Sequence, residues 1–145
     1  MTTIAYRNGI LASDTGTCCG GSMFGHINKI ARRENGDMAG AAGGAAYNYA
    51  FIEWFKAGEI GSIPEAMETQ DSYDRGVIFR SSGEIEVYEP RGKFVVTADY
   101  YALGSGRAEA IGAMHAGADA EGAVRAAIEH DPHSGGRIVV LRASE

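Results

Sequence analysis

The sequence predicts an α+β fold in which two stacked antiparallel sheets are flanked by helices. The element order is strands, helix, strands, two helices, strand, and hairpins grouped in this way argue against a βαβ parallel winding. The apolar runs Val77 to Phe79 and Val139 to Leu141 lack polar alternation, as strands covered on both faces do.

The first hairpin runs from Thr2 to Arg7, turns at Asn8-Gly9 and returns from Ile10 to Asp14. Asn-Gly supplies the positive φ angles of a tight turn. A second hairpin is expected from Asn28 to Arg33, through Glu34-Asn35-Gly36, to Asp37 to Ala42, ending at Gly43-Gly44. Tyr47, Ala50, Phe51, Trp54 and Phe55 then fall at helical spacing, with Gly58 placed to cap the helix. Their aromatic rings read as core. Residues 59–73 are polar and carry one proline, which allows a short helix from Pro64 to Thr69 and otherwise loop. Strands resume at Gly76 to Arg80, Glu84 to Tyr88, Lys93 to Thr97 and Tyr100 to Leu103. Helices are expected from Arg107 to Ala116 and from Ala120 to His130, separated by Gly117, and a last strand from Arg137 to Arg142.

The 145 residues, without internal repeat or linker, fit one domain over 1–145. A net charge of −6 argues against a nucleic-acid partner, which needs a clustered basic surface to displace counterions. No apolar run approaches the roughly 20 residues that cross a bilayer, and the first residues lack the charged region of a secretory signal. A cytoplasmic protein is expected. Cys18 and Cys19 are adjacent, so they offer neither a disulfide framework nor the C-x-x-C spacing of a metal or redox site.

The chemistry begins at Thr2. Its small side chain permits removal of Met1, which would leave a free α-amine beside the Thr2 hydroxyl. An α-amine with an ordinary pKa of about 7.7 to 8.0 can act as general base for the hydroxyl of its own residue. Elsewhere the residues leave alternatives open. Lys29 and Asp14 on their own read as an exposed ion pair, and Asp131-Pro132-His133-Ser134 as an ordinary helix-to-strand turn. His130 and His133 have no further ligand cluster near them in sequence, so no metal site is assigned.

Taken in order, Thr2-Thr3-Ile4, Ala12-Ser13-Asp14, Asn28-Lys29-Ile30, Ala42-Gly43-Gly44-Ala45-Ala46, Gly104-Ser105-Gly106 and Asp131-Pro-His-Ser134-Gly135-Gly136 resemble the proteasome β-type and HslV-type threonine peptidases. The resemblance spans nearly the whole chain. It implies an N-terminal nucleophile (Ntn) hydrolase fold, a four-layer αββα sandwich. Between Gly58 and Gly76, where the second helix of its first helical layer would follow, there is only a polar, Pro-containing stretch, so that helix is expected to be shortened or missing.

The resemblance also implies roles. Thr2 is the nucleophile of a threonine endopeptidase, Lys29 an ammonium that lowers the pKa of the amine and hydroxyl, and Asp14 its anchor. Gly43 N–H is the oxyanion donor, and Ser105, Asp131 and Ser134 surround the terminal amine. Thr17, Cys18 and Gly43 are the candidates for binding substrate backbone, with Thr17 and Cys18 as alternatives. No metal or organic cofactor is implied. The implied partners are polypeptide substrates, other copies of the chain in a homo-oligomeric ring, and an AAA+ ATPase unfoldase. Two other functions fit the same residues: a catalytically silent assembly subunit of this fold, and an Ntn amidohydrolase acting on a small amide.

Overall fold

The computed structural model describes residues 2–19 and 22–144, leaving aside the side chains of Cys18, Cys19 and Phe24. The chain runs β1 (Thr3–Arg7), β2 (Ile10–Ser13), β3 (Gly16–Cys19), β4 (Ser22–His26), β5 (Ile30–Arg32) and β6 (Met38–Ala42). It continues with α1 (Ala45–Lys56), β7 (Arg75–Phe79), β8 (Ile85–Glu89), β9 (Gly92–Val96), β10 (Tyr100–Gly104), α2 (Arg107–His115), α3 (Ala120–His130) and β11 (Val139–Arg142). The arrangement is α+β, with three helices and antiparallel sheets among the described residues.

The strands form a four-stranded sheet ordered β10-β1-β2-β11, a five-stranded sheet ordered β5-β6-β7-β8-β9, and the separate β3-β4 pair. β1 is an interior strand. It pairs with β2 through Ile4 and Ser13, and with β10 through Thr3 and Gly104. A terminal segment bonded on both sides is held against fraying.

Side-chain alternation explains the packing. Ile4, Leu11 and Leu103 of the four-stranded sheet meet Ile30, Met38, Val77, Phe79, Ile85 and Val87 of the five-stranded sheet in one core. Tyr6 stacks on Phe79 there, with ring centroids 4.5 Å apart. The opposite face of β1, β2 and β10 carries Ala5, Ala12 and Ala102, which pack on Ala110 and Met114 of α2 and Ala120, Ala123 and Val124 of α3. Tyr47, Phe51, Ile52 and Phe55 of α1 cover Ala39, Ala41, Ile78 and Tyr88 on the far face of the five-stranded sheet.

Three expectations need correction. Residues 64–69 are not helical; the segment is irregular, with one isolated bridge between Glu68 and Tyr73. Six residues scarcely repay helix nucleation, and here the Met67 N–H is taken by the Asp74 carboxylate at 2.8 Å. The β3-β4 pair is additional to the two hairpins expected in the first 42 residues. Lys29 therefore lies just ahead of the fifth strand, not on the third.

Candidate active site

Thr2 sits at the mouth of β1 and is 2% exposed. Its nitrogen donates to Ser105 Oγ at 3.2 Å, and its carbonyl accepts the Gly106 N–H at 3.2 Å. Gly104 makes this approach possible: with φ of 101° it has no Cβ to collide with the Thr2 carbonyl oxygen.

From Ser105 the contacts continue inward. Its hydroxyl donates to Asp131 Oδ2 at 2.7 Å, and Ser134 Oγ donates to the same oxygen at 2.6 Å. Ser134 Oγ is also 2.6 Å from the hydroxyl of Thr3. Burial pushes the Asp131 carboxyl up, but the Ser134 and Ser105 hydroxyls and the His133 N–H outweigh it and hold the group below its ordinary value. Asp131 is thus an anion wired through Ser105 to the Thr2 nitrogen.

A second carboxylate meets the next residue of β1. Asp14 Oδ1 accepts the Thr3 N–H at 3.0 Å and Lys29 Nζ at 2.9 Å, while Oδ2 accepts the Gly135 N–H at 3.0 Å. The side chains of Lys29 and Asp14 are 1% and 0% exposed, so the pair is buried and not the exposed pair that the residues alone suggested. Each Asp14 oxygen has a donor, which a charge needs when it leaves water.

A cleft of about 470 Å³ opens beside Thr2, lined among others by Gly43, Gly44, Tyr73, Ser105 and Arg107. Its size falls within the roughly 300–1,000 Å³ of small-ligand and substrate sites. Gly43 has φ of 130°, and a Cβ there would collide with the Asp74 carboxylate.

The expected site residues are therefore brought together in two groups. Thr2, Gly43 and Ser105 line the cleft; Asp14, Lys29, Asp131 and Ser134 are buried behind that wall. Thr17 pairs with Gly25 in the β3-β4 ribbon and is not among the lining residues. The removal of Met1 and any side-chain contact of Cys18 lie outside the described residues. No group of three or more His, Cys, Asp or Glu side chains among the described residues could hold a metal ion. No helix among them is long and apolar enough to cross a membrane.

Sequence reasoning missed one wall of the cleft. Asp71, Ser72, Tyr73 and Arg75 line it, although residues 59–73 read only as a polar connection. Arg75 is held by the Tyr101 hydroxyl at 3.2 Å, by the Tyr73 hydroxyl and by Glu89. Burial lowers its pKa, and these neighbours raise it by more, so the guanidinium stays charged. The available signal was Tyr73-Asp74-Arg75, an aromatic and two charges at the mouth of an apolar strand.

No family model matches the chain, and no curated protein matches it. Solved structures do. BPH of Thiobacillus denitrificans in complex with epoxomicin superposes with a TM-score of 0.66 at 23% identity, covering 99% of each chain. The chain has the BPH fold. A second BPH structure from the same organism gives a TM-score of 0.66 at 21% identity, covering 98% of this chain and 97% of that one. Near-complete coverage in both directions means that the likeness is to the whole BPH fold and not to a part of it.

Proposed function

We propose that this chain is a threonine endopeptidase of the proteasome β-type and HslV-type class, with Thr2 as nucleophile once the residue before it is removed. One observation carries the proposal. Of two adjacent threonines, both buried, Thr2 lines the cleft with its nitrogen on the Ser105–Asp131 relay, whereas Thr3 is not among the lining residues and its hydroxyl meets Ser134. The BPH complex supports it, because epoxomicin is a proteasome inhibitor of the peptide epoxyketone class, a reagent type that needs both a hydroxyl nucleophile and an adjacent free amine.

In the proposed reaction Thr2 Oγ attacks the scissile carbonyl while its proton passes to the α-amine. The resulting oxyanion takes the Gly43 N–H, a kind of contact worth about 2.7 to 4 kcal/mol in other hydrolases. Collapse breaks the C–N bond, and the departing amine takes the proton back from the α-amine. Water, deprotonated by the same amine, then attacks the acyl ester and frees Thr2. Lys29, kept as ammonium by Asp14, lowers the pKa of the amine and hydroxyl through its charge. Ser105, Asp131 and Ser134 orient the amine. The substrate backbone lies along Gly43, with Thr17 or Cys18 as the opposing contact.

The three cores described above support a four-layer αββα sandwich of the Ntn class, folded as one domain over 1–145, with the second helix of the first layer missing between α1 and β7. The wider proposal is a cytoplasmic homo-oligomeric ring that degrades polypeptides fed to it by an AAA+ unfoldase.

Intact mass before and after incubation with a peptide epoxyketone tests the nucleophile. The expected result is a chain lacking the residue before Thr2 that gains the reagent's mass on Thr2. Thr2→Ala takes up nothing and loses peptide turnover on the order of 10⁴-fold or more, as removal of a covalent nucleophile does elsewhere. Undiminished turnover in a folded Thr2→Ala variant would overturn the mechanism.

A further inference from the structure

We infer that Asp74 is a positioning residue that sets two walls of the Thr2 cleft at once. Its Oδ1 accepts the Gly44 N–H at 2.9 Å across 30 residues of sequence, and its Oδ2 accepts the Met67 N–H at 2.8 Å. The Asp74 N–H donates in turn to the Met67 carbonyl at 2.9 Å. One buried side chain thus ties the Gly43-Gly44 turn to the loop that carries Asp71, Ser72 and Tyr73 into the cleft.

Nothing local replaces these bonds. α1 has no side-chain cap at Gly44 and no acidic residue in its first turn, so Asp74 supplies from a distance the anion that a helix start favours. Gly43 packs directly on the carboxylate, where even a Cβ would collide. The loop beyond Met67 lies between two open spaces: the Thr2 cleft on one side, and on the other a second cleft of about 690 Å³ lined by Tyr47, Ala50, Pro64 and Met67. Gly44, Ser72 and Tyr73 line both. Among the remaining bonds of the loop, those between Thr69 and Ser72 and in the bridge from Glu68 to Tyr73 stay within it, while Tyr73 meets the Arg75 guanidinium of β7 and Glu68 the exposed Arg91 at 3.5 Å. Those contacts hold the loop through side chains; Asp74 ties its backbone at Met67 to the Gly43-Gly44 turn.

The catalytic effect depends on Gly43 being the oxyanion donor of the proposed peptidase. Asp74→Asn keeps the side chain's shape but has one acceptor oxygen, so it serves the Gly44 or the Met67 N–H and not both. Asp74→Ala serves neither. The expected result is a fall of about tenfold to a hundredfold in kcat and in the saturating rate constant for epoxyketone acylation of Thr2, the scale set by small misplacements of reacting groups. KM rises as the Asp71 to Tyr73 wall loosens.

A merely structural Asp74 would lower the melting temperature and leave the acylation rate constant per labelled site unchanged. That outcome, in a variant shown to be folded by circular dichroism, overturns the inference while wild-type labelling still upholds Thr2. A wild-type protein that neither labels nor turns over peptide sinks both. The wild-type protein also tests the tie without any substitution. The Gly44 and Met67 amides should exchange with deuterium more slowly than the acceptor-less amides of the first turn of α1, and exchange at open-loop rates overturns the inference.

Discussion

Two charge clusters in this protein use the same chemistry in opposite ways. Lys29 and Asp14 form a dry pair against β1, with every carboxylate oxygen committed to one or two donors. At the other cluster Arg80 bridges Glu59, Glu86 and Asp37, with Arg33 sharing Asp37 and Glu59, and Lys93 at 3.6 Å from Glu86. There the Arg80 side chain is 20% exposed and three acids meet three bases. Redundancy and partial hydration make the second cluster tolerant, whereas the first has no water to replace a lost charge, its side chains being 1% and 0% exposed. A buried ion pair is often no more stabilising than an apolar pair of the same shape. The siting of Lys29 and Asp14 beside the Thr2 segment therefore fits an electrostatic duty better than a structural one.

The largest effect on stability is expected at the buried pair. Lys29→Ala leaves Asp14 an uncompensated buried anion and should cost about 3 to 5 kcal/mol in denaturant unfolding, together with loss of peptide turnover. Pairing it with Asp14→Asn should recover part of the stability and none of the turnover. If the single variant loses under about 1 kcal/mol, the contrast between the clusters fails.

Arg80→Ala should be milder, at about 1 to 2 kcal/mol, because Arg33 and Lys93 still face the acids it leaves. Its signature is in acid. Hydrogen bonding to Arg80 holds the Glu86 carboxyl down at about 2, against an ordinary 4.5. Since the folded value is depressed, this stabilisation is complete above pH 4.5 and is lost as pH falls toward 2. Arg80 also lowers Glu59, and burial pushes Asp37 up but is outweighed by the Ser81 N–H together with Arg80 and Asn35. Urea midpoints taken across that range should fall steeply for the wild type and more gently for Arg80→Ala. Parallel slopes would show that the cluster is not the source.

The smallest effect is expected on the open surface, where Lys56 and Glu53 are about half exposed and 3.4 Å apart. Lys56→Ala should change stability by under about 0.5 kcal/mol, with a melting curve close to the wild type.

The contrast between the clusters also marks what the sequence could reveal. Local signals were legible: the Asn8-Gly9 turn between β1 and β2, the aromatic spacing of α1, and the Gly104-Ser105-Gly106 step into α2. The β3-β4 pair was not, because its flanks are small or polar residues without alternation. Burial of Lys29 and Asp14 was equally hidden, since charged residues are rarely fully buried and only partners from distant segments make it tolerable. Thr2 stood out as a candidate from its place beside Met1, and the structure puts it in the wall of the cleft. Asp74 was invisible because its role arises only when Gly44 is folded onto it from 30 residues away.

The order of β1 within its sheet has a consequence for synthesis on the ribosome. Thr3 pairs with Gly104, Thr2 bonds to Ser105 across 103 residues, and Thr3 meets Ser134 across 131. β1 waits for partners made some hundred residues after it. Contacts so distant in sequence slow folding, and until Ser134 has emerged a growing chain carries Thr2 and Thr3 without their assembled surroundings.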